Sequence, residues 1–367
     1  MNQTWLDTYK VAIPLSQDGD GIAKAIYAEM QKLGHRPVFF ELDSRAPADS
    51  DVVFLFGPFG KFLHIPEQFS HTSRRRRPVF VFWNTEGLPD LRLPLSFTKP
   101  VSIARSWLGR ISHSRSAHIR TLAGLPPLSA MDPRLLRFRY LGDYLYAHRQ
   151  GWVKVFADIS AVYAGYLRSC GIPAKVAPFG SFSAWYDDLG LERDIDVLWM
   201  GKRATKRRRL ALDRITAELR SRGLKVHLAD NIENPFVHDE ERTYLVNRSK
   251  ISINLLRTWY DENSLRFTLV APNRCLIVSE PILPHVPQYK AGVHYVSTPI
   301  ERMAEKILYY LEHEDERLSI VENAYKLTTT VLTFENSMRK MMDACDRVLR
   351  TPTVPLAHGL QQLSIAE

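Results

Sequence analysis

The sequence predicts an α/β protein made of two parallel-sheet domains that face each other across a cleft. Three observations lead there. Short apolar runs alternate with stretches of helical period from Val11 to Cys170. A break rich in Pro, Gly and Ser interrupts the pattern near 178–192, and the alternation resumes at Ile195. Short apolar strands interleaved with helices imply sheets covered on both faces, hence parallel pairing. A chain of 367 residues suits two domains, each able to bury its own core.

The first half opens on the strand Val11 to Leu15, followed by the turn Gln17-Asp18-Gly19-Asp20-Gly21. Ile22 to Leu33 carries Ile22, Ala25, Ile26 and Met30 on one helical face, with Gly34 placed to end it. Further strands are expected at Pro37–Leu42, Asp51–Phe56 and Pro78–Trp83. The 99–150 segment holds scattered arginines, Pro126-Pro127 and a Tyr/Leu/Arg-rich stretch of helical character, Leu135 to His148. Its residues leave open whether it serves the N-terminal side of the cleft or a membrane-facing surface. Trp152–Ala157 reads as a strand and Ile159–Cys170 as a helix closed by Gly171.

The second half starts with the strand Ile195–Met200 and a helix over about 205–222 that buries Ala211, Ile215 and Leu219. A strand at Lys225–Leu228 and a helix at Glu240–Asn247 follow. Next come a strand at Ile251–Asn254, a helix opened by Asn263-Ser264 and a strand at Cys275–Ser279. Helices near 300–311, 315–328 and 334–349 complete the plan, the last returning to brace the N-terminal domain. The expected divisions are an N-terminal domain at 1–178, a hinge at 179–192, a C-terminal domain at 193–345, and a helix end with an aperiodic tail at 346–367.

Composition excludes several classes. Hydrophobic content of 45% and charged content of 24% are those of a globular protein. No apolar run reaches the roughly 18 residues of a membrane span, and Met1–Tyr9 lacks the basic and apolar regions of a secretory signal. Cys170, Cys275 and Cys345 are odd in number and show no CxxC spacing, as expected of buried free thiols in the cytoplasm. The net charge of +9 favours an anionic partner. Arg74 to Arg77 and Lys206 to Arg209 are the densest clusters. They read first as solvated faces, then as a peripheral contact with the inner, anionic face of a membrane. Nucleic acid is disfavoured, because no zinc-finger spacing and no basic-aromatic interleaving accompanies the arginines.

The chemistry concentrates between Asn247 and Tyr295. Two strands there deliver Asn254, Arg257, Arg266 and Glu280 to one crevice, and a helix start at Ser264 faces it. Ligands of open α/β sheets bind beyond the carboxyl ends of the strands, and free N–H groups at helix starts attract anions. A nucleoside diphosphate is the expected guest. Gly201-Lys202 follows a strand, where glycine lets the backbone approach a phosphate and a cation neutralises it; an ordinary turn with a basic helix (Arg207 to Arg209) is the plainer reading. Arg257 and Arg266 can grip a diphosphate bidentately, or else pair with Asp261 or Glu262. In the first half, Glu86 follows a strand and can act as general base on a substrate hydroxyl in the cleft. Asp158 is placed similarly but reads as a helix cap, and His64 as a surface histidine. Gly19, Asp20 and Gly21 should approach the donor, although they lack full GxGxxG spacing. Asp194-Ile195-Asp196 starts a strand rather than ending one, and Asp18-Gly19-Asp20 lacks the rest of a calcium loop, so neither indicates a metal.

Set in order, Ser249-Lys250-Ile251 with Asn254, Ser264-Leu265-Arg266-Phe267, Val278-Ser279-Glu280-Pro281, and Gly292 with His294-Tyr295-Val296 resemble the donor-binding half of GT-B glycosyltransferases. The resemblance points in particular to the bacterial glycosyltransferase family 1 proteins related to the CgeB group, and covers roughly 150–345. It implies a GT-B fold with two Rossmann-like domains. It further implies transfer of a sugar from a nucleotide-diphosphate sugar, such as a UDP-sugar, to a saccharide, lipid or protein hydroxyl without a metal. By the same resemblance the glycine and the basic residue at 201 and 202 contact the donor diphosphate, and Arg266 occupies the place of the family's arginine. No cofactor beyond the donor substrate is implied. The chain departs from the pattern at Thr268, where many retaining members carry a second glutamate, and at Pro272-Asn273-Arg274, which replaces a glycine turn. The first departure keeps open an alternative, a non-catalytic module of the same fold that binds a nucleotide sugar or polyanion.

Overall fold

Six short apolar segments pair side by side in the first sheet: β1 (Lys10–Leu15), β2 (Arg36–Glu41), β3 (Val52–Phe56), β4 (Val79–Asn84), β5 (Val153–Asp158) and β6 (Lys175–Val176). Their order is β2-β1-β3-β4-β5-β6, with every pair parallel. The second sheet contains β7 (Ile195–Met200), β8 (Val226–Ala229), β9 (Ser249–Asn254), β10 (Leu276–Ser279) and β11 (Val296–Ser297), ordered β11-β10-β9-β7-β8 and again parallel throughout. Both sheets therefore place their first strand between the second and the third. This computed structural model describes residues 8–15, 20–57, 62–73, 77–111, 133–262 and 264–351. Gly19, Arg74 to Arg76, Asn263, the 112–132 part of the uncertain segment and the tail beyond residue 351 lie outside them.

Five helices accompany the first sheet among the described residues: α1 (Asp20–Lys32), α2 (His64–Glu67), α3 (Leu95–Ile111), α4 (Pro133–Arg149) and α5 (Ala161–Ser169). With the second come α6 (Lys206–Ser221), α7 (Asp239–Asn247), α8 (Ser264–Val270), α9 (Met303–Glu312) and α10 (Glu314–Lys326). Caps set several starts. Ser160, Thr205 and Thr333 each accept a backbone N–H from the first turn of the helix that follows, a contribution of about 1 kcal/mol apiece. Asp158 is thus not the cap of α5. It accepts from the N–H of Ser160, which caps instead.

The helix α3 was not legible in the sequence, since it contains Pro100 and no clean apolar stripe. What makes it is its partner α4. Gly142 of α4 lies so close to α3 that a Cβ there would sit 1.9 Å from the carbonyl oxygen of Ser102. The short helix α2 places His64 in a helical turn rather than a loop, and the two-residue edge strands β6 and β11 were likewise unanticipated.

Two chain crossings join the lobes, and they are bonded to each other. The N–H of Ser181 donates to Leu332, and that of Phe334 donates to Ser181. Gly180 permits this approach, because a Cβ would lie 2.1 Å from the carbonyl carbon of Thr333. Around the crossing, Trp83, Phe179, Trp185 and Phe334 pack as stacked and edge-on rings. The final helix, α11 (Phe334–Arg350), then buries Met338, Met341, Met342 and Cys345 in the core of the first sheet. Residues 334–345 follow the second domain in the chain and pack in the first. Cys170, Cys275 and Cys345 are buried free thiols, and among the described residues no helix is long and apolar enough to cross a membrane.

Candidate functional site

The strand order of the second sheet dictates where a ligand belongs. The order in which successive strands are laid down changes sides between β7 and β9, and crevices open at such a switch beyond the carboxyl ends of the strands. The residues that leave those two strands are Gly201-Lys202 and, after Leu255 and Leu256, Arg257. A cavity of about 510 Å³ lies there, lined by Gly201, Lys202, Arg208, Arg242, Arg257 and Arg266 among others.

Each cation reaches the cavity by a different route. Gly201 adopts φ +120° and its oxygen accepts from the Trp199 ring nitrogen at 2.8 Å. A Cβ on it would meet the Arg266 guanidinium at 3.4 Å, so glycine leaves room for that side chain. Arg266 lies 4.4 Å from the Trp199 ring centre, donates to Asn254 Oδ1 at 2.6 Å and to the Met200 oxygen at 3.1 Å. Among the described residues it has no carboxylate in salt-bridge range. Burial, and then Arg208 nearby, push its pKa down to about 9; it stays cationic at neutral pH.

Arg208, in the first turn of α6, is buried and donates to the Lys202 oxygen at 3.2 Å, while its Nε has no hydrogen-bond partner among the described residues. Burial pushes it to about 10, against the pull of Asp261 at 3.6 Å. Arg242 of α7 likewise leaves Nε and Nη2 buried without a hydrogen bond among the described residues, and burial lowers its pKa. Buried donors without partners cost about 1–3 kcal/mol each. Five cations against the two carboxylates of Asp261 and Glu262 line the cavity, a surplus that an anionic guest would neutralise.

Asp261 is the hub of this charge. It accepts from Arg257 Nε and Nη2 at 2.9 and 3.0 Å and from Arg137 of α4 at 3.4 Å. Burial alone would raise its pKa, but Arg257, and then Arg137, hold it below the ordinary range. Arg137 belongs to the first lobe, so this ion-pair cluster spans the cleft. Nearby, Tyr163 donates to the Tyr260 oxygen at 2.5 Å and Ser160 bonds His285 at 2.6 Å, both contacts also crossing between lobes.

Of the residues expected from sequence, Gly201, Lys202, Arg257 and Arg266 line the cavity. Arg257 also makes the ion pair with Asp261 that was its plainer reading. Asn254 does not line it: fully buried, it stands behind Arg266, accepting from it and donating to Ser279 Oγ at 2.9 Å. Glu280 does not line it either. Its carboxylate accepts from the Leu256 N–H and from Arg207, and so shapes the backbone that carries Arg257. Ser264 begins α8, a helix of only seven residues. Asp20 and Gly21 open α1, and Gly21 is exposed with open space around it.

Glu86 lies beyond β4 in the first lobe, exposed at its surface but flanked by the buried Asn84, Gly87 and Leu88. Protein crowds its carboxyl enough to raise its pKa, opposed by Arg257 and then Arg137. The candidate base and the arginine cluster therefore share one electrostatic environment. Thr268, standing where a glutamate was expected from the resemblance, is buried and donates to the hinge oxygen of Phe179 at 2.5 Å. Asp194 and Asp196 are paired with Arg248 and Lys250 at the opposite end of β7, and Arg77 is tied to the backbone of Thr72 at 2.7 Å.

Sequence reasoning missed Arg137, Arg242 and Asp261 as a set. Arg137 sits in the segment that resisted reading, and Arg242 on a helix with no functional motif. The single signal for Asp261 was its spacing of four from Arg257.

Comparison with known proteins agrees with this geometry. Residues 207–343 match the family described as Glycosyl transferase-like. No curated protein matches the chain in sequence. Among solved structures, a glycosyltransferase from Rickettsia africae ESF-5 superposes with TM-score 0.61 at 12% identity, over 94% of this chain and 100% of that one. Sucrose-phosphate synthase from Thermosynechococcus elongatus gives 0.57 at 9% identity over 93% and 99%. HepE from Anabaena in complex with UDP gives 0.55 at 11% identity over 93% and 100%. At such identities the likeness is one of fold: the chain has the GT-B architecture, and its second lobe contains a glycosyl transferase-like domain.

Proposed function

We propose that this protein transfers a sugar from a nucleoside-diphosphate donor to an acceptor hydroxyl, with its own guanidinium groups meeting the leaving-group charge in place of a metal ion. One observation carries the reading: Lys202, Arg208, Arg242, Arg257 and Arg266 converge on one cavity at the switch point of the second sheet. Arg266 in particular is held there by neutral groups alone, Trp199, Asn254 and the Met200 oxygen. With Asp261 alone among the described residues drawing on it from across the cavity, most of its charge is available to a diphosphate. The family match over 207–343 supports the same reaction class, and the HepE complex with UDP supports a nucleotide of that kind.

In the transfer, the acceptor oxygen forms a bond to the anomeric carbon while the bond from that carbon to the diphosphate oxygen breaks. The electron pair leaves with the nucleoside diphosphate, whose added negative charge falls among the arginines. Fixed charges aimed at a developing anion stabilise it without reorganising during the reaction. Glu86, its pKa raised by its crowded surroundings, takes the acceptor proton. A carboxylate tuned upward is the stronger base near neutral pH.

Calorimetric titration with UMP, UDP and UDP-glucose, repeated with the guanosine series, tests the reading. One diphosphate should bind at least about tenfold more tightly than its monophosphate, since the second phosphate gains charge-assisted bonds. Equal affinity for mono- and diphosphate would refute it.

A further inference from the structure

Two loops, one from each lobe, meet at the rim of the donor cavity. From the second lobe comes the loop after β9, which carries Arg257 and Asp261 and, between them, Trp259. From the first comes the loop after β4, which carries Glu86 and then Asp90 and Arg92. Trp259 is 40% exposed, whereas its neighbour Tyr260 is 5% exposed. The loop itself is firmly anchored: Tyr163 donates to the Tyr260 oxygen, and Arg137 lies 5.2 Å from the Tyr260 ring centre. A large, partly open indole is therefore held in place beside the cationic cavity, edge-on to Tyr260 at 5.4 Å.

Polar groups of a particular kind flank it. Arg92 lies 5.0 Å from the Trp259 ring centre and forms a bidentate pair with Asp90 at 2.8 and 3.2 Å. Arg92 foremost, and in part a hydrogen bond from Trp259, hold the Asp90 pKa below its usual value. The Arg92 side chain is itself 70% exposed. A partly open indole, one face of it under the Arg92 guanidinium, thus stands beside an exposed guanidinium paired with a partly exposed carboxylate, on a loop that also bears the candidate base.

We propose that the acceptor is a saccharide whose ring lies against the open surface of Trp259 while Asp90 and Arg92 bond its hydroxyls. This rests on the transferase reading above. The physical match is direct. A pyranose has a face of weakly positive C–H groups that suits the negative face of an indole, and a rim of hydroxyls that both donate and accept. Carboxylate and guanidinium together satisfy both functions, at charge-assisted strength. A lipid tail would instead call for contiguous apolar surface, and here the indole has a charged pair at its side. Asp90 and Arg92, which would hold the saccharide, stand on the same loop as Glu86.

The test loads the protein with UDP or GDP, whichever binds, and measures saturation-transfer NMR to methyl β-D-glucopyranoside, methyl β-D-galactopyranoside, N-acetylglucosamine and cellobiose. At least one saccharide should bind, and Trp259→Ala should weaken it by roughly tenfold with nucleotide affinity unchanged. Arg92→Gln, a change at an exposed side chain, should weaken the same saccharide without lowering the melting temperature. Saccharide binding that ignores both substitutions overturns the inference, as does failure of all four sugars to bind the nucleotide-loaded protein. Either result leaves the donor reading standing. Failure to bind any nucleotide sinks that reading instead, and this acceptor site with it.

Discussion

The Arg266 guanidinium lies 4.4 Å from the ring centre of Trp199, with Asn254 and the Met200 oxygen as its hydrogen-bond partners. A buried cation whose hydrogen-bond partners are all neutral, with Asp261 its one electrostatic counterweight among the described residues, is compensated only in part, which costs stability unless an anion arrives. The strands β7 and β9 set this up. Each ends in a group that grips Arg266 from one side, and Gly201 leaves out the side chain that would crowd it.

Arg266→Ala should therefore weaken nucleoside-diphosphate binding by about 100-fold, the scale of a lost bidentate charge-assisted contact. The melting temperature of the unliganded protein should fall little or even rise. Arg266→Lys should recover only part of the affinity, because an ammonium cannot match the planar fork. Calorimetry and thermal denaturation on the same samples separate the two effects. A large drop in intrinsic stability with affinity retained would show Arg266 to be structural.

Glu86→Gln should lower kcat by about 10²–10⁴-fold while leaving nucleotide affinity within about twofold. Because the folded-state pKa of Glu86 is raised, the acid limb of the wild-type kcat/KM profile should fall above the pH of an ordinary glutamate. Substituting Arg257, the chief opposing charge, should move that limb higher still. A profile that is flat through the acid range would remove Glu86 from the mechanism.

Thr268→Val should destabilise the protein by about 1–2 kcal/mol, leaving the Phe179 carbonyl at the hinge without its donor. Thr268→Glu, which restores the residue type seen in many retaining relatives of the resemblance, should destabilise further and gain no donor affinity. The side chain points into the buried hinge, where a carboxylate would face a carbonyl oxygen. Chemical denaturation and nucleotide titration of both variants decide this; tighter donor binding by the glutamate variant would count against it.

His285 links stability to pH. Burial pushes its pKa down to about 4 from an ordinary 6.5, so the unfolded chain takes up a proton first as pH falls. The stabilisation is complete above about 6.5 and is lost progressively between 6.5 and 4, on the order of 1–3 kcal/mol. His285 bonds Ser160 across the lobes, so the loss should appear as a loosening of the interlobe contact. The slope of melting temperature against pH in this window should shrink in His285→Gln; an unchanged slope would assign the dependence to other groups.

Strand and helix positions in both lobes were legible because each strand is a short apolar run buried on both faces, and each long helix carries one apolar stripe. The same holds for the cavity residues that immediately follow strands, Gly201, Lys202 and Arg257, since a strand's exit in a parallel sheet is fixed by topology. Arg266 was legible through its place before Phe267. Helix α3 was not, because its stability comes from Gly142 and the close approach of α4, a contact between segments far apart in sequence. Nor was the division of labour among the polar groups. Asn254 and Glu280 were both expected at the ligand, yet one positions Arg266 and the other holds Leu256 and Arg207.

By itself, then, the sequence determined two parallel α/β sheets and the residues that leave their strands toward the second lobe's cavity, Gly201, Lys202 and Arg257. Those follow from local periodicity and from rules that act along the chain. Tertiary structure decided which cations remain available and which are already paired, that Arg137 reaches Asp261 from the other lobe, and that Thr268 serves the hinge. Such facts depend on where side chains from distant segments converge in space, and charge pairing over a few ångströms leaves no periodic trace in the order of residues.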